Sequence, residues 1–174
     1  MLEALKSFKN IFGRFGIAKF RIAFFIVCMI EELKRGVVCK SALETAELAE
    51  RIAKAFPQSV IALVGDLGAG KTTFAKGLAR GLGITASVKS PSYNVCLTYS
   101  ENGANFVHID AYRLKSPSDY ENLLIDELVP EPRLICVEWP QIIADALPCE
   151  TLWIEISAPN PDEPDTRLLK LASR

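Results

Sequence analysis

The residues Gly65-Asp66-Leu67-Gly68-Ala69-Gly70-Lys71-Thr72 fit the pattern G-x-x-x-x-G-K-[ST] at every fixed position. The chemistry of that pattern is phosphate binding. A loop without side-chain bulk wraps its backbone N–H groups around phosphates, and the helix that follows aims its N-terminus at them. Lys71 is spaced to reach the β- and γ-phosphates of a nucleoside triphosphate, and Thr72 to offer its hydroxyl to Mg²⁺, a hard cation that takes oxygen ligands and keeps several waters.

Chemistry of this kind also calls for a carboxylate at the end of a second buried strand, where it holds Mg²⁺ directly or through water. Two acids qualify. Phe106-Val107-His108-Ile109 leads into Asp110, and Leu134-Ile135-Cys136-Val137 leads into Glu138; the pattern does not rank them. In Ser90-Pro91-Ser92-Tyr93 the proline holds Ser90 extended. The hydroxyls of Ser90 and Ser92 could meet the γ-phosphate or its metal, and a loop held that way would respond to hydrolysis as a switch. An ordinary strand end or a plain turn would use the same residue types, so the reading rests on their combination. His108, the only histidine, is expected on the opposite sheet face from Ile109, in a hydrogen-bonded core position rather than as a general base.

These residues need elements to position them. Val60 to Val64 is a short, β-branched apolar run that reads as a buried strand ending at Gly65. Phe74, Leu78 and Leu82 recur at helical spacing, which predicts a helix stopping at Gly81 or Gly83. Upstream, Val37-Val38-Cys39 is a strand candidate and Ser41-Ala42-Leu43-Glu44 has the spacing of a capping box. The helix it opens carries Leu48, Ile52 and Phe56 on one face and ends at Pro57. Downstream, strands are expected from Asn94 to Tyr99 and from Asn105 to Ile109 around a turn at Glu101-Asn102-Gly103. A short helix over Asp119 to Leu128 and strands over Arg133 to Val137 and Thr151 to Ser157 follow. Ala158 to Pro164 reads as a loop, and Arg167 to Leu171 as an edge strand. The alternation predicts a single α/β domain over residues 36–174, P-loop NTPase-like, with a mostly parallel sheet flanked by helices.

A chain of 174 residues suits one domain with a sizeable core, and a net charge of −1 argues against a surface built to neutralise nucleic-acid phosphates. The five cysteines are odd in number and form no C-x-x-C pair, so neither a zinc site nor a disulfide framework is indicated. They suit small buried hydrophobes in a reducing compartment, the cytoplasm. Residues 1–35 are a different kind of sequence. Lys6, Lys9, Arg14, Lys19 and Arg21 precede an apolar run from Ile22 to Ile30 that is too short to span a bilayer, so no stable membrane insertion is expected. The extension reads as a membrane-surface helix, an added packing element, or a translated upstream stretch that the working protein does not need. Met29, the only methionine besides Met1, stands just before the domain and favours the last.

Four segments taken in order carry a resemblance. Gly65 to Thr73, Val88-Lys89-Ser90-Pro91-Ser92-Tyr93, His108-Ile109-Asp110-Ala111-Tyr112-Arg113-Leu114 and Val137-Glu138-Trp139-Pro140 resemble the TsaE ATPases of bacterial tRNA threonylcarbamoyladenosine biosynthesis, over about residues 36–157. The resemblance implies a small ATPase using ATP and Mg²⁺, acting with the TsaB and TsaD proteins and meeting tRNA indirectly through that complex. It also implies roles for residues. Gly65, Asp66, Gly68, Ala69, Gly70, Lys71, Thr72 and Thr73 would bind the nucleotide, with Ser41 and Thr45 as candidates for the adenine side. Glu138 matches the family's Mg²⁺ ligand beside Thr72, and Asp110 a position tied to hydrolysis, so Lys71, Asp110 and Glu138 are the catalytic candidates. Tyr112 and Trp139 match positions of local support or partner contact. Departures exist. Ser92 and Asn94 stand where the family commonly has Thr, which keeps one hydroxyl and loses the other, and Ala111 replaces a larger apolar residue.

Two other classes share the loop. A small-molecule P-loop kinase would use Arg80, Arg113 and Arg133 to clamp a transferring phosphoryl group, although no Arg-rich lid segment is evident. A nucleotide-sensing module would bind ATP with hydrolysis incidental.

Overall fold

The computed structural model describes residues 17–173. Helix α1 (Ile17–Arg35) leads through Gly36 into strand β1 (Val37–Cys39) and helix α2 (Ala42–Ala55). Strand β2 (Val60–Val64), helix α3 (Lys71–Gly81), and the hairpin of β3 (Cys96–Glu101) and β4 (Ala104–Asp110) follow. After a 3₁₀ turn at Ala111–Arg113 come the short helices α4 (Pro117–Glu121) and α5 (Ile125–Leu128). Strand β5 (Arg133–Glu138), a 3₁₀ stretch at Pro140–Ala146, β6 (Leu152–Ser157) and β7 (Arg167–Leu171) complete the order.

The strands form one seven-stranded sheet in the order β1-β7-β6-β2-β5-β4-β3. Alternation along each strand sends side chains to opposite faces. On one face Ile61, Leu63, Phe106, Leu134 and Ile154 meet Leu48 and Ile52 of α2, Phe74 and Leu78 of α3, and Met29 and Leu33 of α1. On the other, Ala62, Val107, Ile135 and Val137 meet Ile125, Ile143 and Leu147. Helices α2 and α3 approach closely because Gly77 and Gly81 carry no side chain against Ala46, Ala49, Glu50 and Ala53.

The sheet is mixed rather than mostly parallel. The pairings β2–β5, β2–β6 and β4–β5 are parallel, whereas β1–β7, β6–β7 and β3–β4 are antiparallel. The reason lies in the connections. A parallel neighbour needs a crossover of about a dozen residues or more, and neither the turn at Asn102-Gly103 nor the helix-free loop after Ser157 supplies one. Strand β7 is not at an edge, since β1 pairs with its outer side. The single helix expected over Asp119 to Leu128 is two short ones, divided where Leu124 takes a left-handed φ of 50°.

The capping box at Ser41 is half formed: the Glu44 N–H donates to Ser41 Oγ, but the Glu44 carboxylate takes the Lys40 N–H instead of that of Ser41. Among the cysteines, Cys39 and Cys136 are buried, Cys96 is half-buried, and Cys28 and Cys149 are exposed. The latter half of α1 joins the core through Met29 and Leu33, while Phe24, Phe25 and Val27 lie exposed. No helix among the described residues is long and apolar enough to cross a membrane. Lys6, Lys9 and Arg14 lie outside the described residues.

Candidate functional site

The sheet brings the chemistry to one place because β2, β4 and β5 run parallel in its middle and end together. Asp110 is the register partner of Glu138, and Glu138 that of Leu63, just before the glycine loop. Ligands of open α/β sheets sit outside such carboxyl ends. Each segment is also held in an unusual backbone conformation. Gly68 and Gly70 have φ of 79° and 103°, which a side chain would strain, and a Cβ on Gly65 would stand 2.2 Å from the Ile156 carbonyl. The loop is shaped by glycine where glycine is needed.

Lys71 is buried, and its Nζ donates to the carbonyls of Gly65 (2.6 Å) and Asp66 (2.8 Å) while standing 3.8 Å above the Trp139 ring. Burial pushes the ammonium below its usual value, partly offset by the carboxylates of Glu138, Asp110 and Asp66. Thr72, in the first turn of α3, donates from Oγ1 to Glu138 Oε1 at 2.9 Å. The same Oε1 meets His108 Nε2 at 2.8 Å, and His108 Nδ1 meets the Lys89 carbonyl at 3.2 Å. His108 is fully buried on the expected face, tying Glu138 to the serine-proline loop.

Asp110 is held by the other side of the site. Its Oδ2 accepts from Ser92 Oγ at 2.6 Å and its Oδ1 from the Tyr112 N–H at 3.1 Å. Ser90 Oγ lies 2.9 Å from Ser92 Oγ, so the two serines and the acid form one chain. Val95, whose carbonyl accepts the Asp110 N–H, has a φ of 65°, and Trp139, directly after Glu138, has 57°. Left-handed conformations at a β-branched and a bulky residue are strained by about 1–3 kcal/mol each and concentrate at functional sites. Here they flank both acids.

The donor set suits Mg²⁺ held together with phosphates. Thr72 Oγ1 and the Glu138 carboxylate are two hard oxygen donors at hydrogen-bond distance, and Glu138 Oε2 makes no hydrogen bond among the described residues. No group of three or more His, Cys, Asp or Glu there could hold a metal by itself. Mg²⁺ in nucleotide sites uses one or two protein oxygens and completes its shell with water and phosphate.

Among the other sequence-derived candidates, Asp66 is exposed at the loop, Ala69 is buried beneath it, and Thr73 is half-buried in the first turn of α3. Ser41 and Thr45 serve the start of α2: Ser41 caps it, and the buried Thr45 donates from Oγ1 to the Ser41 carbonyl. No hydrogen bond among the described residues joins either to the glycine loop. The arginine clamp is not assembled. Arg80 pairs with Glu50, and Arg133 stands at the start of β5, the far end from Glu138, paired with Asp126 and Glu131. Only Arg113 is near, 5.6 Å over the Tyr93 ring. One residue that sequence reasoning missed is Arg167 on β7, whose guanidinium hydrogen-bonds the loop carbonyls of Ala69 and Gly68. Nothing local in the sequence marks it, since the contact spans 98 positions.

The family model described as threonylcarbamoyl adenosine biosynthesis protein TsaE matches residues 39–167. The chain belongs to the TsaE family. It is 40% identical over 129 residues to the tRNA threonylcarbamoyladenosine biosynthesis protein TsaE of Bacillus subtilis, covering 74% of this chain and 79% of that one. The TsaE of Treponema pallidum is 35% identical over 120 residues, covering 68% and 88%. Among solved structures, the crystal structure of Bacillus subtilis YdiB superposes with a TM-score of 0.62 at 33% identity, over 78% of this chain and 82% of that one. All four motif segments lie inside the TsaE match, which begins after α1 and ends on Arg167. TsaE proteins take part in the biosynthesis of threonylcarbamoyladenosine in tRNA.

Proposed function

We propose that this chain is a cytoplasmic, Mg²⁺-dependent ATPase of the P-loop type that supports N6-threonylcarbamoyladenosine formation in tRNA together with TsaB and TsaD. The observation that carries the reading is the joint hydrogen bonding of Thr72 and His108 to Glu138 beside a left-handed glycine loop. This couples a phosphate-binding segment to a metal-competent acid.

In this reading the amides of Gly65 to Thr73 hold the phosphates of ATP, and Lys71 turns from the Gly65 and Asp66 carbonyls to the β- and γ-phosphates. Thr72 and Glu138 hold the metal, which when bound supplies positive charge that neutralises the phosphoryl oxygens. His108 orients Glu138. Asp110, kept in place by Ser92 and the Tyr112 N–H, orients the attacking water, and the Ser90–Ser92 chain makes the serine-proline loop sensitive to what the site holds. The work of hydrolysis is then delivered to the partner proteins, whose transfer chemistry this chain does not perform.

The test is threonylcarbamoyladenosine content of tRNA after depletion of the protein and complementation with wild type, Lys71→Ala or Glu138→Ala. ADP release by the purified proteins, alone and with TsaB and TsaD, is measured alongside. Wild type is expected to restore the modification and both variants to fail, with hydrolysis lost in each. Normal modification in depleted cells, or full complementation by Lys71→Ala, would overturn the proposal.

A further inference from the structure

The glycine loop is held from outside by a residue of a distant strand. Arg167 Nε donates to the Ala69 carbonyl at 2.8 Å, and Nη2 reaches the Gly68 carbonyl at 3.3 Å. Its Nη1 is anchored in turn on the Pro164 and Thr166 carbonyls at 2.5 and 2.9 Å. The guanidinium thus meets four backbone carbonyls and no carboxylate among the described residues. A planar fork with donors on all three nitrogens is suited to bridge two chain segments at once. It joins the loop before β7 to the glycine loop.

The direction of those bonds matters for the loop's amides. A trans peptide aims its N–H opposite to its C=O. Carbonyls drawn toward Arg167 therefore turn the N–H groups of Ala69 and Gly70 away from it. The Ala69 N–H closes the turn on the Asp66 carbonyl at 3.1 Å, and the Gly70 N–H makes no hydrogen bond among the described residues. Gly70 also sits close enough that a Cβ there would lie 3.6 Å from Arg167 Nε. Bonding a charged donor to a peptide oxygen polarises that peptide and strengthens its N–H as a donor.

We infer that Arg167 is a positioning residue for nucleotide binding: from β7 it fixes the Gly68–Ala69 and Ala69–Gly70 peptides so that the loop is preorganised for phosphate. This rests on the ATPase reading of the site and adds a residue to it. The arginine acts through the loop backbone and touches no phosphate itself. Preorganisation lowers the ordering cost of binding, so its loss weakens affinity for ADP and ATP more than it slows turnover.

The experiment compares wild type, Arg167→Gln, Arg167→Lys and Leu169→Ala, the last removing a buried β7 side chain that takes no part in the loop contacts. MgADP affinity is measured by calorimetry, kcat and KM for ATP by ADP release, and Tm by thermal melting. Arg167→Gln is expected to raise Kd and KM by about ten- to a hundredfold, the scale of lost charged hydrogen bonds, with a smaller change in kcat. Arg167→Lys keeps the charge without the fork and should not restore affinity. Leu169→Ala should lower Tm with Kd unchanged. Wild-type affinity in Arg167→Gln or in Arg167→Lys would overturn the inference, as would an equal loss of affinity in Leu169→Ala. A wild type that binds neither ADP nor ATP would overturn the ATPase reading and this inference with it.

Discussion

Glu138 Oε1 accepts from both Thr72 and His108, so the position of the acid depends on a residue that need not touch nucleotide or metal. Removing the imidazole would free the carboxylate to turn and leave a buried space beside the Lys89 carbonyl. His108→Ala is therefore expected to cut ADP release by about 10- to 100-fold, as loss of partners behind metal ligands does, and to raise the Mg²⁺ concentration needed for half-maximal rate. A titration of rate against Mg²⁺ checks both. At Trp139, the Lys71 ammonium lies 3.8 Å over the ring, and the ring stacks edge-on with Tyr112 at 5.6 Å. Movement of Lys71 toward phosphates removes a cation from the indole face. Tryptophan emission is expected to change on adding MgADP in wild type and in Trp153→Phe, and to stay constant in Trp139→Phe. A signal that persists in Trp139→Phe would place the responsive indole at Trp153, buried on the other face of the sheet.

At the scale of elements, α2 and α3 are spaced by glycine. A Cβ on Gly77 would lie 2.3 Å from the Ala46 carbonyl and 2.7 Å from Ala49 Cβ, so the helices must part to accept it. Although alanine is the better helix former, Gly77→Ala is expected to destabilise by about 1–3 kcal/mol, the usual range for overpacking, seen as a lower urea midpoint. Elsewhere, Glu101 at the end of β3 accepts the Thr85 N–H (2.7 Å) and hydroxyl (2.8 Å), and these bonds, the backbone one foremost, hold its carboxyl below its ordinary value of 4.5. A carboxylate lowered in the folded state contributes stability above its unfolded value and loses it as pH falls through the folded one. The Tm gap between wild type and Glu101→Gln should therefore be constant above pH 4.5 and close below it. Elements were legible in the sequence where local signals decide them: β2 by its apolar run, α2 by Ser41 and Pro57, and α3 by Gly83, which takes a φ of 82°. Pairing direction was not legible, because it depends on where a strand lands. The place of β7 inside the sheet, and with it the reach of Arg167 to the loop, exists only once β1 has returned to cover it.

Taken whole, the molecule gathers its chemistry at one end of a four-strand parallel centre and assigns its outer strands to support. The latter half of α1 belongs to that support. Met29 and Leu33 are fully buried against α2 and the sheet, Glu32 pairs with Arg51 of α2 at 2.9 Å, and Gly36 closes the helix onto the Glu32 and Leu33 carbonyls. The surface pair contributes little, whereas each buried side chain stabilises by about 1.5–3 kcal/mol. Ahead of Met29, Phe24, Phe25 and Val27 face solvent. Shortening the chain from its N-terminus should therefore act in two stages. A chain beginning at Met29 keeps Met29 and Leu33 and is expected to melt within about 2 °C of the full chain, less than the shift that one kcal/mol produces at this size. A chain beginning at Gly36 loses both and should melt lower by about 10 °C, the sum of two buried side chains on the same scale. Since α1 leads through Gly36 into β1, the edge strand that covers β7, its removal leaves β1 as a free chain end and should loosen β7 and weaken MgADP binding through Arg167. Equal melting of the two shortened chains would show that α1 adds nothing to the core.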